Sequence, residues 1–132
     1  MAFTRAAAEN VLKGFLGLTS GAILGHCFLG LSTSAPNSDG ANFTEQSSSA
    51  GYGRVEFTNK SMTVTGASAE NEAAIMFPEA TSAWGTVVYF GLFASDSTTA
   101  PPLIYGALTS PVTVSANNIA LFRPGNFTMS LS

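Results

Sequence analysis

The chain is expected to be a mainly β protein, a two-sheet sandwich or jelly roll with one short N-terminal helix. Three features point there. Short apolar runs follow one another at roughly 8–12-residue spacing from residue 55 to the end, Pro, Gly, Asn and Ser turns separate them, and helical periodicity is confined to the first 18 residues. A chain of 132 residues fits one domain. The expected division is a helix over 1–18 and a β-sandwich over 26–132 that carries a surface loop at 38–53.

The helix rests on Phe3, Ala7, Val11, Phe15 and Leu18, which recur at spacings of four and three, with Thr4 placed to cap the N-terminus. Gly17 and Gly21 stop it, and residues 26–33 read as a first strand ended by Ser34-Ala35-Pro36-Asn37. Residues 15–31 are apolar apart from Thr19, Ser20 and His26, and Gly17, Gly21 and Gly25 stand at GxxxG spacing, so a membrane span is a rival reading. A signal peptide is another, with Arg5 and Lys13 upstream and Thr33-Ser34-Ala35 downstream. Against both stand five glycines between Gly14 and Gly30, the acidic Glu9, and a run shorter than the ~20 residues of a span. A helix end, a glycine turn and a buried strand is the reading kept, with no membrane insertion and no cleaved signal.

Residues 38–53 are small and polar, with Asp39-Gly40 and Ser47-Ser48-Ser49 marking a surface loop. Beyond it Val55 and Phe57 alternate with Arg54, Glu56 and Thr58, the pattern of a strand with one buried and one wet face. Further strands are expected over 62–65, 73–77, 86–93, 103–108, 112–115, 119–122 and 127–131, the last with Phe127, Met129 and Leu131 on one side.

Hydrophobic residues make up 45% of the chain and charged residues 10%, against about 25% charged in an ordinary soluble domain. The surface is therefore largely Ser, Thr, Asn, Ala and Gly, which lose water at little cost and suit permanent contacts between subunits. Apolar strand faces outnumber what one small core hides, so a homo-oligomer is expected, a trimer or higher ring. Five basic residues against eight acidic ones give a net charge of −3, with no cluster suited to a phosphate backbone, so nucleic acid is not an expected partner. The single Cys27 excludes an internal disulfide and a Cys-rich zinc site, and its thiol is expected to be buried and inert.

Chemistry finds little purchase. The one histidine, His26, neighbours Cys27 on a strand, where adjacent side chains point to opposite faces and cannot form a dyad. Asp39, Glu45, Glu70, Glu72, Glu79 and Asp96 fall in loops or at strand ends and read as solvated acids. A depolymerase-like enzyme would need two of them facing across roughly 5–9.5 Å. No HxxxH, CxxC or acidic calcium loop occurs, and Gly51-Tyr52-Gly53 lacks the setting of a phosphate loop. No catalytic, cofactor-binding or metal-binding residue is expected. Tyr52, Trp84, Tyr89 and Tyr105 would suit sugar stacking if exposed and clustered, although Trp84 beside Gly85 reads as core. The Asn-x-Ser/Thr triplets at Asn42, Asn59 and Asn126 are read as chance.

Leu29-Gly30-Leu31-Ser32-Thr33, Ala35-Pro36-Asn37, Asp39-Gly40 and Thr44-Glu45 are followed by Gly51-Tyr52-Gly53-Arg54-Val55. Then come Ile75-Met76-Phe77-Pro78-Glu79-Ala80-Thr81, Trp84-Gly85-Thr86-Val87, Phe90-Gly91-Leu92-Phe93, Tyr105-Gly106-Ala107-Leu108-Thr109 and Phe127-Thr128-Met129-Ser130-Leu131. In this order they resemble a family of small tailed-bacteriophage virion proteins commonly labelled phage tail fibre proteins. The departures are an insertion at 46–50 and a more apolar stretch at 118–123. The resemblance implies a non-enzymatic virion subunit, made in the host bacterial cytoplasm, that docks on other virion proteins at the tail, baseplate or capsid. A host-surface glycan-binding adhesin is the alternative, with Asp39, Glu45 and Tyr52 as contact-loop residues. Phe77, Pro78, Trp84, Gly85, Phe90 and Gly91 are expected to form a strand–turn–strand staple: Pro78 ends one strand, Trp84 anchors the next, and Gly85 and Gly91 permit close backbone approach.

Overall fold

The structure, a computed structural model, describes residues 2–4, 27–57, 62–65, 68–96 and 101–130. Its strands are β1 (Ala2–Phe3), β2 (Cys27–Ser32), β3 (Val55–Phe57), β4 (Met62–Thr65), β5 (Ser68–Asn71), β6 (Ile75–Met76), β7 (Gly85–Phe93), β8 (Ile104–Val114), β9 (Leu121–Phe122) and β10 (Thr128–Ser130). The protein is mainly β, as the sequence implies. All pairings are antiparallel and give three sheets, ordered β1-β8-β7-β2-β3, β10-β5-β4 and β6-β9. Where a two-sheet sandwich is expected, the layer facing the large sheet is thus split into two small sheets.

The expected helix start is corrected. Ala2 and Phe3 pair with Tyr105 and Ile104 as a sheet-edge strand, and the Thr4 N–H and hydroxyl both donate to the Leu103 carbonyl, at 2.8 and 3.0 Å, instead of capping a helix. Residues 5–18, the remainder of that expected helix, lie outside the described residues, as does His26. Among the described residues the helical structure is one 3-10 turn at Ser48–Ala50, and no helix is long and apolar enough to cross a membrane.

Pairing decides which side chains share a face. Leu29 opposite Leu92 and Leu31 opposite Phe90 form the inner face of the large sheet; Phe28 opposite Phe93, Gly30 opposite Gly91 and Ser32 opposite Tyr89 form the outer one. On the inner side Phe90 meets Phe127 edge-on at 5.0 Å, Phe127 meets Phe122 at 5.6 Å, and Phe122 meets Phe77 at 6.4 Å. This aromatic chain joins the large sheet to both small ones. Each buried ring contributes roughly 1.5–3 kcal/mol through area alone, with about 0.5–1.5 kcal/mol more for each edge-on pair.

The expected strands at 103–108 and 112–115 are one strand, β8. Val87 pairs with Val112 and Tyr89 with Ala107, so the single residue Val88 stands opposite residues 108–111. This bulge displaces the middle of β8 from its partner without ending the strand. β5, which was not expected, has no apolar alternation; it forms as the middle strand between β4 and β10.

Asn71, at the end of β5, is 1% exposed and organises the split layer. Its Nδ2 donates to the carbonyls of Ala73, Phe122 and Arg123 at 3.0, 3.1 and 2.8 Å, and its Oδ1 accepts the Phe127 N–H at 2.8 Å. One amide thereby ties β5 to β9 and to the approach to β10, which no apolar residue of that size can do. Asn71→Asp should cost about 3 kcal/mol or more at neutral pH, since a buried carboxylate would replace the donor facing three carbonyls. Those carbonyls raise the new carboxyl's folded pKa above its unfolded value, so the loss should shrink as pH falls. Urea melts of the variant at pH 7 and pH 4 test this.

Candidate functional site

The residues singled out in the sequence divide into a hydrophobic staple and a polar cluster, and the structure joins them through the Tyr52 ring, which packs on Phe77 and Trp84. Phe77, Trp84, Phe90 and Gly91 are buried, whereas Pro78 and Gly85 are exposed. Trp84 continues the ladder by donating its N–H to Val114, and its indole Nε1 donates to the Ala50 carbonyl at 2.9 Å. The Thr81 N–H donates to that same carbonyl, also at 2.9 Å. The turn at 77–81 therefore docks on the 3-10 turn at 48–50, so two motifs far apart in sequence form a single joint.

Gly51 and Gly91 explain why glycine is needed there. Gly51 has φ +83°, and a Cβ on it would lie 2.4 Å from the Glu79 carbonyl oxygen. A Cβ on Gly91 would meet the Phe43 ring at 2.8 Å and the Pro102 Cβ at 2.9 Å. The expectation of close approach at Gly85 is corrected: nothing lies within 4 Å of its Cβ position, and its φ of +79° is the reason for glycine.

The polar cluster sits where β3 leaves β2. Pairing of the two stops at Leu29–Val55, which opens the β2 edge at Leu31. The Tyr52 hydroxyl fills that gap, accepting the Leu31 N–H at 3.0 Å and donating to Glu45 Oε2. Arg54 then clamps Glu45 with Nε to Oε2 at 2.9 Å and Nη2 to Oε1 at 2.6 Å, while Nη1 donates to the Ser95 carbonyl at 2.9 Å. Its guanidinium carbon lies 3.4 Å from the centroid of the Phe93 ring, a stacked cation–π contact on the outer face. Gly30 makes room, since a Cβ there would come within 2.8 Å of Glu45 Oε2, 2.9 Å of Phe93 and 3.0 Å of the Tyr52 hydroxyl oxygen.

Two expectations change accordingly. The loop at 38–53 is not a free surface excursion: Gly40, Ala50 and Tyr52 are buried, and Phe43 packs edge-on against Phe93 at 5.4 Å. Arg54, expected on a wet face, has a side chain only 8% exposed. Of the contact-loop residues, Tyr52 and Glu45 meet inside the protein, with the Tyr52 ring against Trp84 at 5.3 Å and Phe77 at 6.3 Å. Asp39 stands apart and exposed, in a turn closed by the Asn37 N–H donating to Ala41. Arg54 and Asn71 are the residues sequence reasoning missed. The available signal for Arg54 was its place in the glycine–tyrosine–glycine–arginine run; Asn71 had none.

The chemical capacity of this cluster is small. Asp96 shares a shallow cleft with Glu45, but both Glu45 oxygens are engaged by Arg54 and Tyr52, so Glu45 is held as a structural carboxylate. Among the described residues no group of three His, Cys, Asp or Glu could hold a metal ion. Burial pushes the half-buried Cys27 thiol up to about 11, so it is a poor nucleophile at neutral pH. Among the other aromatics, Tyr89 and Tyr105 are half-buried and share the outer face of the large sheet, diagonally placed across β7 and β8.

Two predictions follow from the clamp. Arg54→Met should lower stability by about 3 kcal/mol, because Glu45 is left charged and mostly buried; adding Glu45→Gln should recover part of that loss in a double-mutant denaturation cycle. Burial, and then the Glu45 carboxylate beside it, raise the Tyr52 pKa above its ordinary value near 10. The folded state therefore holds this proton longer than the unfolded chain, and stability should begin to fall as pH rises past about 10. Tyr52→Phe should remove that part of the alkaline slope in pH-dependent melts.

With this geometry in place, comparison with known proteins gives one family. Residues 2–130 match the family described as podophage GP4 fiber I protein gp80. No curated protein matches the chain.

Proposed function

Because the chain belongs to the podophage GP4 fiber I protein gp80 family, a bacteriophage fibre family, we propose that it works as a virion structural subunit that self-assembles and docks on the particle through faces of low charge. The family match over residues 2–130 carries this reading, since it takes in every described strand. Surface chemistry supports it. Exposed positions on β7, β8 and β10 include Thr86, Thr109, Ser110, Thr113 and Thr128, with Thr86 and Thr113 hydroxyls 2.9 Å apart across the ladder. Such neutral hydroxyl faces lose water at little cost and can form lasting contacts with a neighbour.

On this proposal the partners are other copies of the chain, in a trimer or higher ring, and other virion proteins. Its place is the tail fibre or baseplate, or else the capsid surface as a decoration. The subunit is made in the host bacterial cytoplasm without a cleaved signal. A glycan-binding adhesin is the second reading, favoured by the half-exposed Tyr89 and Tyr105 on one sheet face, since tyrosine rings stack on sugars. The buried Tyr52 and Trp84 do not support it.

Antibody-gold labelling of purified phage, with mass spectrometry of separated heads and tails, tests the first reading. Label on the virion is expected, at the tail for a fibre or baseplate subunit and over the head for a decoration; absence from the virion would overturn it. A glycan array tests the second: binding that Tyr105→Ala abolishes would support it, and no signal would remove it.

A further inference from the structure

The large apolar side chains exposed among the described residues are Met76 at 57%, Ile119 at 46% and Leu121 at 44%. They lie together. Met76 pairs with Leu121 across β6 and β9, which turns both outward while Ile75 and Phe122 point into the core, and Ile119 precedes the same strand. Beside them, between the bulged middle of β8 and residues 121–128, runs an open groove of about 390 Å³. Its apolar walls are Leu108, Val112, Phe122 and Phe127, its rim includes Thr109 and Thr128, and none of its lining residues is charged. Leu121 belongs to both the exposed patch and the groove.

We infer that the patch and the groove are the two halves of one self-contact, in which a second copy of this chain places Met76 and Ile119 in the groove and receives the same side chains in return or passes them on around a ring. The inference rests on the self-assembly proposed above and names its surface. A contact between different surfaces closes into a ring when its rotation closes and runs on as a filament otherwise; a knob beside its hole sets both contacts of each copy near one axis, which favours closure at low order around the shared residue. Leu121 is that residue. The rim charges fit a copy of the same chain: exposed Arg123 stands just beyond β9, the exposed Glu70 carboxylate lies 3.7 Å from the Cβ position of Gly125, which lines the groove, and the Arg123 carbonyl and Gly125 N–H both bond to Asn71, so the two charges belong to the same stretch of rim. When two such rims meet about the axis, each cation is offered the other copy's carboxylate, while the uncharged floor takes the apolar side chains. A partner reading this groove through charge would find none in its lining.

The bulge at 108–111 gives the groove its wall. Leu108, Thr109 and Ser110, all within the stretch of β8 that is out of register with β7, line it. The irregularity is thereby assigned a use.

The test is sedimentation velocity of the full chain over a concentration series, with Leu121→Lys and Met76→Lys as variants and Ser38→Lys, an exposed position in the 37–41 turn, as control. Wild type and the Ser38 variant should associate; Leu121→Lys and Met76→Lys should each weaken association at least tenfold, with unchanged near-ultraviolet circular dichroism. Leu121→Cys in a Cys27→Ala background should also form a disulfide-linked species under mild oxidation, since copies of this residue meet near the axis. An oligomer indifferent to both lysine variants would overturn the surface but not self-assembly. A wild type that stays monomeric throughout would overturn the surface and self-assembly together, and leave virion membership to the labelling experiment.

Discussion

The clamp of Arg54 on Glu45, with Tyr52 bridging to the β2 backbone, is the constraint on which much of the remaining architecture depends. A strand edge left open inside a small protein exposes N–H groups that must find an acceptor. β3 covers β2 only from Cys27 to Leu29, and the Tyr52 hydroxyl takes over at Leu31. That tyrosine has its ring in the inner core and its oxygen at the strand edge, so it connects the two faces of the sheet. The guanidinium then holds residues 33–54 against the outer face, on a floor that Gly30 and Gly91 keep flat. Secondary supports follow the same line, with the Ser32 hydroxyl accepting the Thr44 N–H at 2.8 Å and the Thr33 N–H donating to the Thr44 carbonyl at 3.1 Å.

Held in this way, the strap removes from the surface the very groups that a search for chemistry would pick. Glu45 is engaged by Tyr52 and Arg54, Tyr52 by Glu45 and the Leu31 N–H, and Trp84 is 2% exposed with its indole N–H satisfied. Among the described residues the exposed positions include neutral hydroxyls, scattered carboxylates, and an apolar patch with a groove beside it. Charge also has a structural use here, since the Arg54–Glu45 ion pair fixes the fold.

The motifs that carry the family resemblance turn out to be joints. Phe77-Pro78-Glu79-Ala80-Thr81 docks on Ala50-Gly51 through the shared Ala50 carbonyl and the absence of a Cβ at Gly51. Leu29 through Ser32 supplies the open edge that Tyr52 completes. Such residues are fixed by the backbone they must approach, which is why short runs far apart in the chain can look alike across a family whose members need share no active site.

Alternation located β3, and short apolar runs between turn residues located β2, β4 and β7, because burial of a sheet face writes itself directly into the order of side chains. The same local logic failed at Ala2–Phe3, where apolar spacing suited a helix and pairing with β8 prevailed, and at Ser68–Asn71, which has no apolar face and is a strand only because β4 and β10 flank it. It also split β8 in two, since a bulge read along the chain looks like a turn. Arg54 looked solvent-facing by alternation; only the fold sets Glu45 and Phe93 around it. The sequence by itself determined the mainly β class, the core place of Trp84 and the low charge, all properties of local pattern and composition. Tertiary structure alone decided the split second layer, the burial of the 38–53 loop, the clamp at the β2 edge and the groove beside Leu121, because each depends on groups distant in the chain meeting within a few ångströms.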